Sequence, residues 1–314
     1  MIFEIFTISI DYYDELIDNL YMRLIDPEQL IKLNNLNIIS RVVVEGLFSG
    51  YHRSPYKGFS VEFSQHRPYF PQDEIKTIDW KVYGRTDKFV VKEFEDRTNL
   101  QCYILLDVSS SMNYSSGKIK KIEYAKILTA CLTYLLISQR DLVGLILFSD
   151  RLIDFLKPKS TNLHQNQIFS RLNNIRTEGS TSIGNILYQI GERITKRSMI
   201  ILISDLIKPP HDFIVPLKGL RYKGNEVVVF WIKDPAERNF SLTGKLALTD
   251  PESGLKISIS AEQSRKYLNQ KISELEEHIS EQAKKHNITM HIADTSVAVN
   301  KLLYDFVDLR RKIT

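Results

Sequence analysis

From Leu100 onward, short apolar runs alternate with longer stretches of helical period. Leu100 to Leu106, Leu142 to Phe148, Met199 to Ile203, Glu226 to Ile232 and Ile288 to Ile292 are rich in Val, Ile, Leu or Phe, and each is too short for a helix. Between them Ile119, Ile122, Ala125, Ile127, Leu128, Cys131, Leu132, Leu135 and Leu136 make a broad stripe at helical spacing, and Ile183 to Ile194 and Leu268 to Ile279 repeat it. Strands apolar throughout, alternating with such helices, predict an α/β fold with a doubly wound, mainly parallel sheet covered on both faces. Ser149-Asp150 suits a tight turn, so Arg151 to Leu156 is expected to return as an antiparallel edge strand.

The first hundred residues carry a different pattern. A helical stretch around Tyr13 to Leu33 precedes β-branched or alternating runs at Ser40 to Leu47, Phe59 to Phe63 and Phe89 to Phe94. Residues 1–96 therefore read as a helical segment with a β-rich module, and residues 97–314 as the α/β domain. Leu246 to Ile259 reads as a hairpin about Asp250-Pro-Glu-Ser-Gly254, and residues 240–260 are expected to complete the N-terminal module.

Composition narrows the function classes. With 43% hydrophobic and 25% charged residues the chain is an ordinary folded protein, and 42 basic against 38 acidic residues demand neither nucleic acid nor an anionic membrane. The basic runs Lys118-Ile-Lys-Lys121, Arg193 to Arg197 and Arg310-Arg-Lys312 read as solvated helix faces or ends. Cys102 and Cys131 lie in apolar runs and read as buried free thiols. The apolar opening Met1 to Asp11 contains Glu4, lacks a basic n-region and is far short of the roughly 20 residues of a spanning helix. A cytoplasmic location is expected, with peripheral membrane attachment left open.

The candidate chemistry lies at the ends of the predicted strands. Asp107, Ser109 and Ser111 follow the first α/β strand, Thr181 sits in the loop Glu178-Gly-Ser-Thr-Ser182, and Asp205 follows Ile200-Ile-Leu-Ile-Ser204. In a doubly wound sheet these three segments converge at the carboxyl edge. Oxygen-only donors select a hard cation, Mg²⁺ first with Mn²⁺ or Ca²⁺ as alternatives, and disfavour zinc. Neutral hydroxyls beside two carboxylates leave such an ion electrophilic, open to a carboxylate from a partner protein.

Asp107-Val-Ser-Ser-Ser-Met112, Thr181 and Asp205 resemble the metal-ion-dependent adhesion site of von Willebrand factor type A domains. Val43-Val-Glu-Gly46, Gly50-Tyr-His-Arg-Ser54, Gly58-Phe-Ser-Val-Glu-Phe63, Arg67-Pro-Tyr69, Ile78-Asp-Trp80 and Lys92-Glu-Phe-Glu95 resemble the bacterial family catalogued as domain of unknown function 58. The chain departs from that family in having Gln72-Asp73 where Gly-Asp is common, and in lacking the N-terminal membrane helices of many relatives. The site reads as a non-enzymatic interaction module, and the resemblance implies complex-assembly or chaperone-like work with a MoxR-type AAA+ ATPase or its client as partner. Within the blocks, His52-Arg53-Ser54 and Asp79-Trp80-Lys81 read as bracing for the β module through buried rings, with a partner surface as the alternative.

Two rivals stand beside that reading. A phosphohydrolase of the haloacid dehalogenase type also begins from an Asp after a first strand, but it resembles Asp-x-Asp, and Ser109 occupies the place of its general acid. A metal-free structural scaffold would keep the fold and not the ion. The phosphate loop, the Gly-x-Ser-x-Gly elbow and His-Glu-x-x-His are missing from the sequence.

Overall fold

The computed structural model describes residues 27–49, 63–71, 73, 78–94, 100–194, 196–207, 210–238, 245–249 and 256–313. The chain divides into two units, Arg53–Asn99 on one side and Met1–His52 with Leu100–Thr314 on the other.

In the smaller unit β1 (Phe63–Pro68) pairs antiparallel with β2 (Val90–Phe94), Arg67 opposite Val91. Asp79 caps the Trp80–Thr86 helix, its Oδ1 accepting from the backbone N–H of Lys81 at 3.0 Å and of Val82 at 3.4 Å. A side-chain acceptor there satisfies donors that a helix start leaves unpaired. Tyr83 stacks on Phe89 at 4.4 Å between ring centres, and Trp80 meets both rings edge-on. Asp79 thus fixes the start of this helix, while the Trp80 indole, expected to be buried, stays more than half exposed (55%). Residues 59–62 of the expected strand, the His52-Arg53-Ser54 block and Gln72 lie outside the described residues.

The larger unit is built on six strands: β3 (Gln101–Asp107), β4 (Leu142–Phe148), β5 (Leu152–Lys159), β6 (Met199–Ser204), β7 (Glu226–Lys233) and β10 (Thr289–Asp294). Their order is β10-β7-β6-β3-β4-β5, parallel throughout except for β5, which returns antiparallel along β4. Side chains alternate across a strand, and β3 shows what that does. Cys102, Ile104 and Leu106 enter one apolar cluster with the Lys121–Ser138 helix, and Tyr103 and Leu105 enter a second with the Ile183–Arg193 helix. Both sheet faces are therefore covered, which is why these strands are apolar along their whole length. Cys102 and Cys131 are buried free thiols, raised above their ordinary pKa by burial.

Three expectations are corrected. Ser40 to Leu47 is not a strand but part of the Leu36–Ser49 helix. Its buried positions Leu36, Ile39, Ser40, Val43 and Val44 fall three and four apart, so burial of one helical stripe overrides the β-branched composition. This helix and the described helix Pro27–Leu33 belong to the larger unit. The hairpin is real, β8 (Lys245–Thr249) pairing with β9 (Lys256–Ser260), but it forms its own two-stranded sheet and groups with the larger unit. Lys121, read as solvated, is buried in the site described below. Among the described residues no helix is long and apolar enough to cross a membrane.

Candidate metal centre

β3 and β6 are parallel neighbours, Leu106 opposite Ile203, so Asp107 at the end of one strand and Asp205 just past the end of the other leave the same edge. From β3 the chain runs out to β4 and β5, then crosses back to β6 on the other side of β3. That reversal opens a crevice at the strand ends, the usual ligand position of such sheets.

The loop after β3 turns at once. Asp107 Oδ1 accepts the backbone N–H of Ser109 at 2.9 Å, Met112 N donates to Ser109 O at 3.1 Å, and Ser110–Asn113 forms a single 3₁₀ turn. That turn folds Ser111 back onto Ser109, their hydroxyls 3.0 Å apart. The Thr181 loop is stitched alongside: Glu178 N donates to Val108 O, and Ser110 N to Gly179 O, both at 3.0 Å. Gly179 makes the second bond possible, because its φ of +74° is a conformation other residues adopt at a cost.

Asp107, Ser109, Ser111, Thr181 and Asp205 are all buried at this edge. Direct contacts join Asp107, Ser109 and Ser111 to one another, and Thr181 is brought in through its loop backbone. Asp205 reaches them through a residue that sequence reasoning passed over. Ser204 donates its hydroxyl to Asp107 Oδ2 at 2.6 Å and accepts Leu206 N at 3.1 Å. Its signal was present, a lone polar residue closing an otherwise apolar strand.

Asp205 is held firmly. Its carbonyl accepts the Trp231 indole N–H at 2.8 Å, and the next residue, Leu206, is buried with φ of +47°. A leucine in the left-handed region stores strain on the order of 1 kcal/mol, tolerated where surrounding contacts fix the turn. Lys121 Nζ donates to Asp205 Oδ2 at 2.8 Å and to Glu237 Oε1 at 2.7 Å. Glu237 is itself anchored, its Oε2 accepting Asp234 N at 3.0 Å. Neither Lys121 nor Glu237 was among the expected site residues.

The electrostatics follow from burying like charges together. Burial, then the negative charge of Asp205, pushes the Asp107 carboxyl up to about 7, against the pull of hydrogen bonds from Ser204 and Ser109. Burial alone would lower the Lys121 ammonium, but Asp205 and Glu237 outweigh it and raise its pKa. Asp205 Oδ1 is buried and has no hydrogen-bond partner among the described residues.

Three hydroxyls and two carboxylates, one with an oxygen that has no hydrogen-bond partner among the described residues, fit a hard cation in donor type. Among the described residues no group of three or more His, Cys, Asp or Glu is placed to hold a metal.

The family model described as "Protein of unknown function DUF58" matches residues 65–288. The chain belongs to this family. Among curated relatives, the uncharacterized proteins Rv1480 of Mycobacterium tuberculosis and Mb1516 of Mycobacterium bovis are each 23% identical over 235 residues, 73% of this chain and 73% of theirs. Solved structures similar to this DUF58 chain include BatB from Bacteroides thetaiotaomicron, with TM-score 0.46, 18% identity, and coverage of 68% of this chain and all (100%) of that one. The SpRpn10 VWA domain aligns with TM-score 0.42 and 15% identity over 68% of this chain and 95% of its own.

Proposed function

We propose that this DUF58 protein is a non-enzymatic interaction module in which Asp107, Ser109, Ser111, Thr181 and Asp205 hold one divalent cation, Mg²⁺ foremost, that captures an acidic side chain of a partner protein. The observation that carries it is the meeting of two buried carboxylates and buried hydroxyls at one sheet edge, with Asp205 Oδ1 left over. When bound, a hard divalent ion supplies an electrophilic site that a carboxylate completes.

The residues divide the work. Ser204 and the Ser109 backbone hold Asp107 in place, Trp231 and the strained Leu206 turn hold Asp205, and the 3₁₀ turn presents Ser109 and Ser111 side by side. Hydroxyls as donors keep the centre short of negative charge, which favours an anionic ligand from outside. Work beside a MoxR-type AAA+ ATPase in the cytoplasm, in complex assembly or chaperone-like remodelling, belongs to the same proposal and draws on family resemblance.

Against a haloacid-dehalogenase type phosphohydrolase stands Ser109, buried and hydrogen-bonded to Ser111 where that chemistry needs an acid. Affinity capture tests the interaction reading. Immobilised wild type is expected to retain partner proteins with Mg²⁺ and to release them with EDTA, and Ser109→Ala is expected to retain none. A captured set indifferent to both EDTA and Ser109→Ala overturns it.

A further inference from the structure

We infer that Lys121 is a resident counter-cation of this centre, a fixed positive charge that loosens the grip on a divalent ion; the inference rests on the metal reading above. The Lys121 side chain is only 1% exposed, and Nζ lies 2.8 Å from Asp205 Oδ2 and 2.7 Å from Glu237 Oε1. Nothing in its own helix asks for a cation there. Lys121 is the first residue of the Lys121–Ser138 helix, where the aligned peptide dipoles favour negative charge, and desolvating an ammonium is costly. Two carboxylates from distant segments hold it, and the Tyr114 ring lies 5.5 Å from Nζ.

The consequence lies in how Asp205 is shared. One oxygen is committed to Lys121 while the other, Oδ1, is buried without a hydrogen-bond partner among the described residues. A cation on Oδ1 would therefore face the ammonium across a single carboxylate group, in surroundings where charge repulsion is weakly screened. Glu237 moderates that repulsion by pairing with the same ammonium. It is locked for the task, because its other oxygen accepts Asp234 N while Asp234 Oδ1 caps the next turn through Ala236 N at 2.9 Å.

Opposite signs follow for the two neighbours. Neutralising Lys121 tightens the metal; neutralising Glu237 leaves the ammonium less compensated and weakens it. A role confined to holding loops together predicts weakening in both.

The test is isothermal titration of Mg²⁺ into the full chain, as wild type, Lys121→Met and Glu237→Gln, each checked for folding by circular dichroism. Lys121→Met is expected to bind about tenfold or more tighter than wild type, and Glu237→Gln about threefold or more weaker. Mg²⁺ binding by Lys121→Met alone, with wild type silent, is the extreme form of the same result and supports the inference. Folded Lys121→Met that binds as wild type does, or more weakly, overturns it and leaves the metal reading standing. If Lys121→Met does not fold, Lys121→Gln is titrated in its place, with binding no tighter than wild type overturning the inference. Silence from wild type and folded Lys121→Met together overturns the metal reading, and the inference with it.

Discussion

At the amino ends of the strands Asn225 is buried and fully engaged, its Oδ1 accepting Ser198 N at 3.0 Å and its Nδ2 donating to Leu220 O at 2.9 Å, whereas at the carboxyl ends Asp107 and Asp205 are buried facing each other's charge. Asp141, also at the amino end, makes the contrast sharper. Its Oδ1 accepts Leu100 N at 3.1 Å, and burial raises its carboxyl to about 6 against the opposing pull of Arg310 and of that hydrogen bond. Polar groups at one end are each answered by a local partner and tie strands together. Those at the other repel, leave Asp205 Oδ1 over, and sit beside a leucine in a strained turn. Like charges buried together at a crevice mark a candidate functional site.

The contrast is most severely strained by Asp205→Ala. Removing that carboxylate leaves a buried ammonium with Glu237 alone, and losing one member of a buried pair costs about 3 kcal/mol, near the low end because Asp107 is relieved of a like charge. Urea unfolding of the metal-free protein checks it. A loss below about 1 kcal/mol means that water reaches Lys121 and the carboxyl end is no harsher than the amino end.

pH separates the two ends next. The Asp107 carboxyl is raised to about 7 in the folded protein from an ordinary 3.8, so between these values the folded state holds more protons than the unfolded. Its contribution to stability is full below about pH 4 and is lost in metal-free protein as pH rises through 7. Asp141 adds a decline of the same sign ending near 6. Saturating Mg²⁺, which favours the ionised carboxylate, is expected to abolish the Asp107 share alone, and Asp107→Asn to do the same without metal. Denaturation midpoints across pH 4 to 8 that decline equally in wild type and Asp107→Asn would contradict this.

The smallest effect is expected at Gly179. An added Cβ must adopt φ of +74° and would stand 3.3 Å from Asp150 Oδ1, so Gly179→Ala should cost about 1 kcal/mol. Because Gly179 carries the carbonyl that receives Ser110 N, the variant should also weaken Mg²⁺ binding; thermal melts and titration read the two effects separately.

Much of this contrast was legible before any coordinates. β4 runs from Leu142 to Phe148 as its apolar run does, and Asp107 and Asp205 could be placed because each directly follows such a run. Lys121 could not. In Lys118-Ile-Lys-Lys121 it looks like its neighbours, and its partners Asp205 and Glu237 lie 84 and 116 positions away, beyond any local pattern. Ser40 to Leu47 misled for the opposite reason. Its β-branched residues gave a strong local preference, and the helical stripe that decides the matter shows only when Leu36 and Ile39 are counted with Val43 and Val44.

The central claim is that the oxygens gathered at the carboxyl edge hold a divalent cation, and one titration addresses it most directly. Isothermal titration of Mg²⁺, repeated with Mn²⁺, into wild type and Asp107→Ala should show one site in the wild type and its loss in the variant. Equal binding by both proteins, or no binding by folded wild type and folded Lys121→Met alike, contradicts the account.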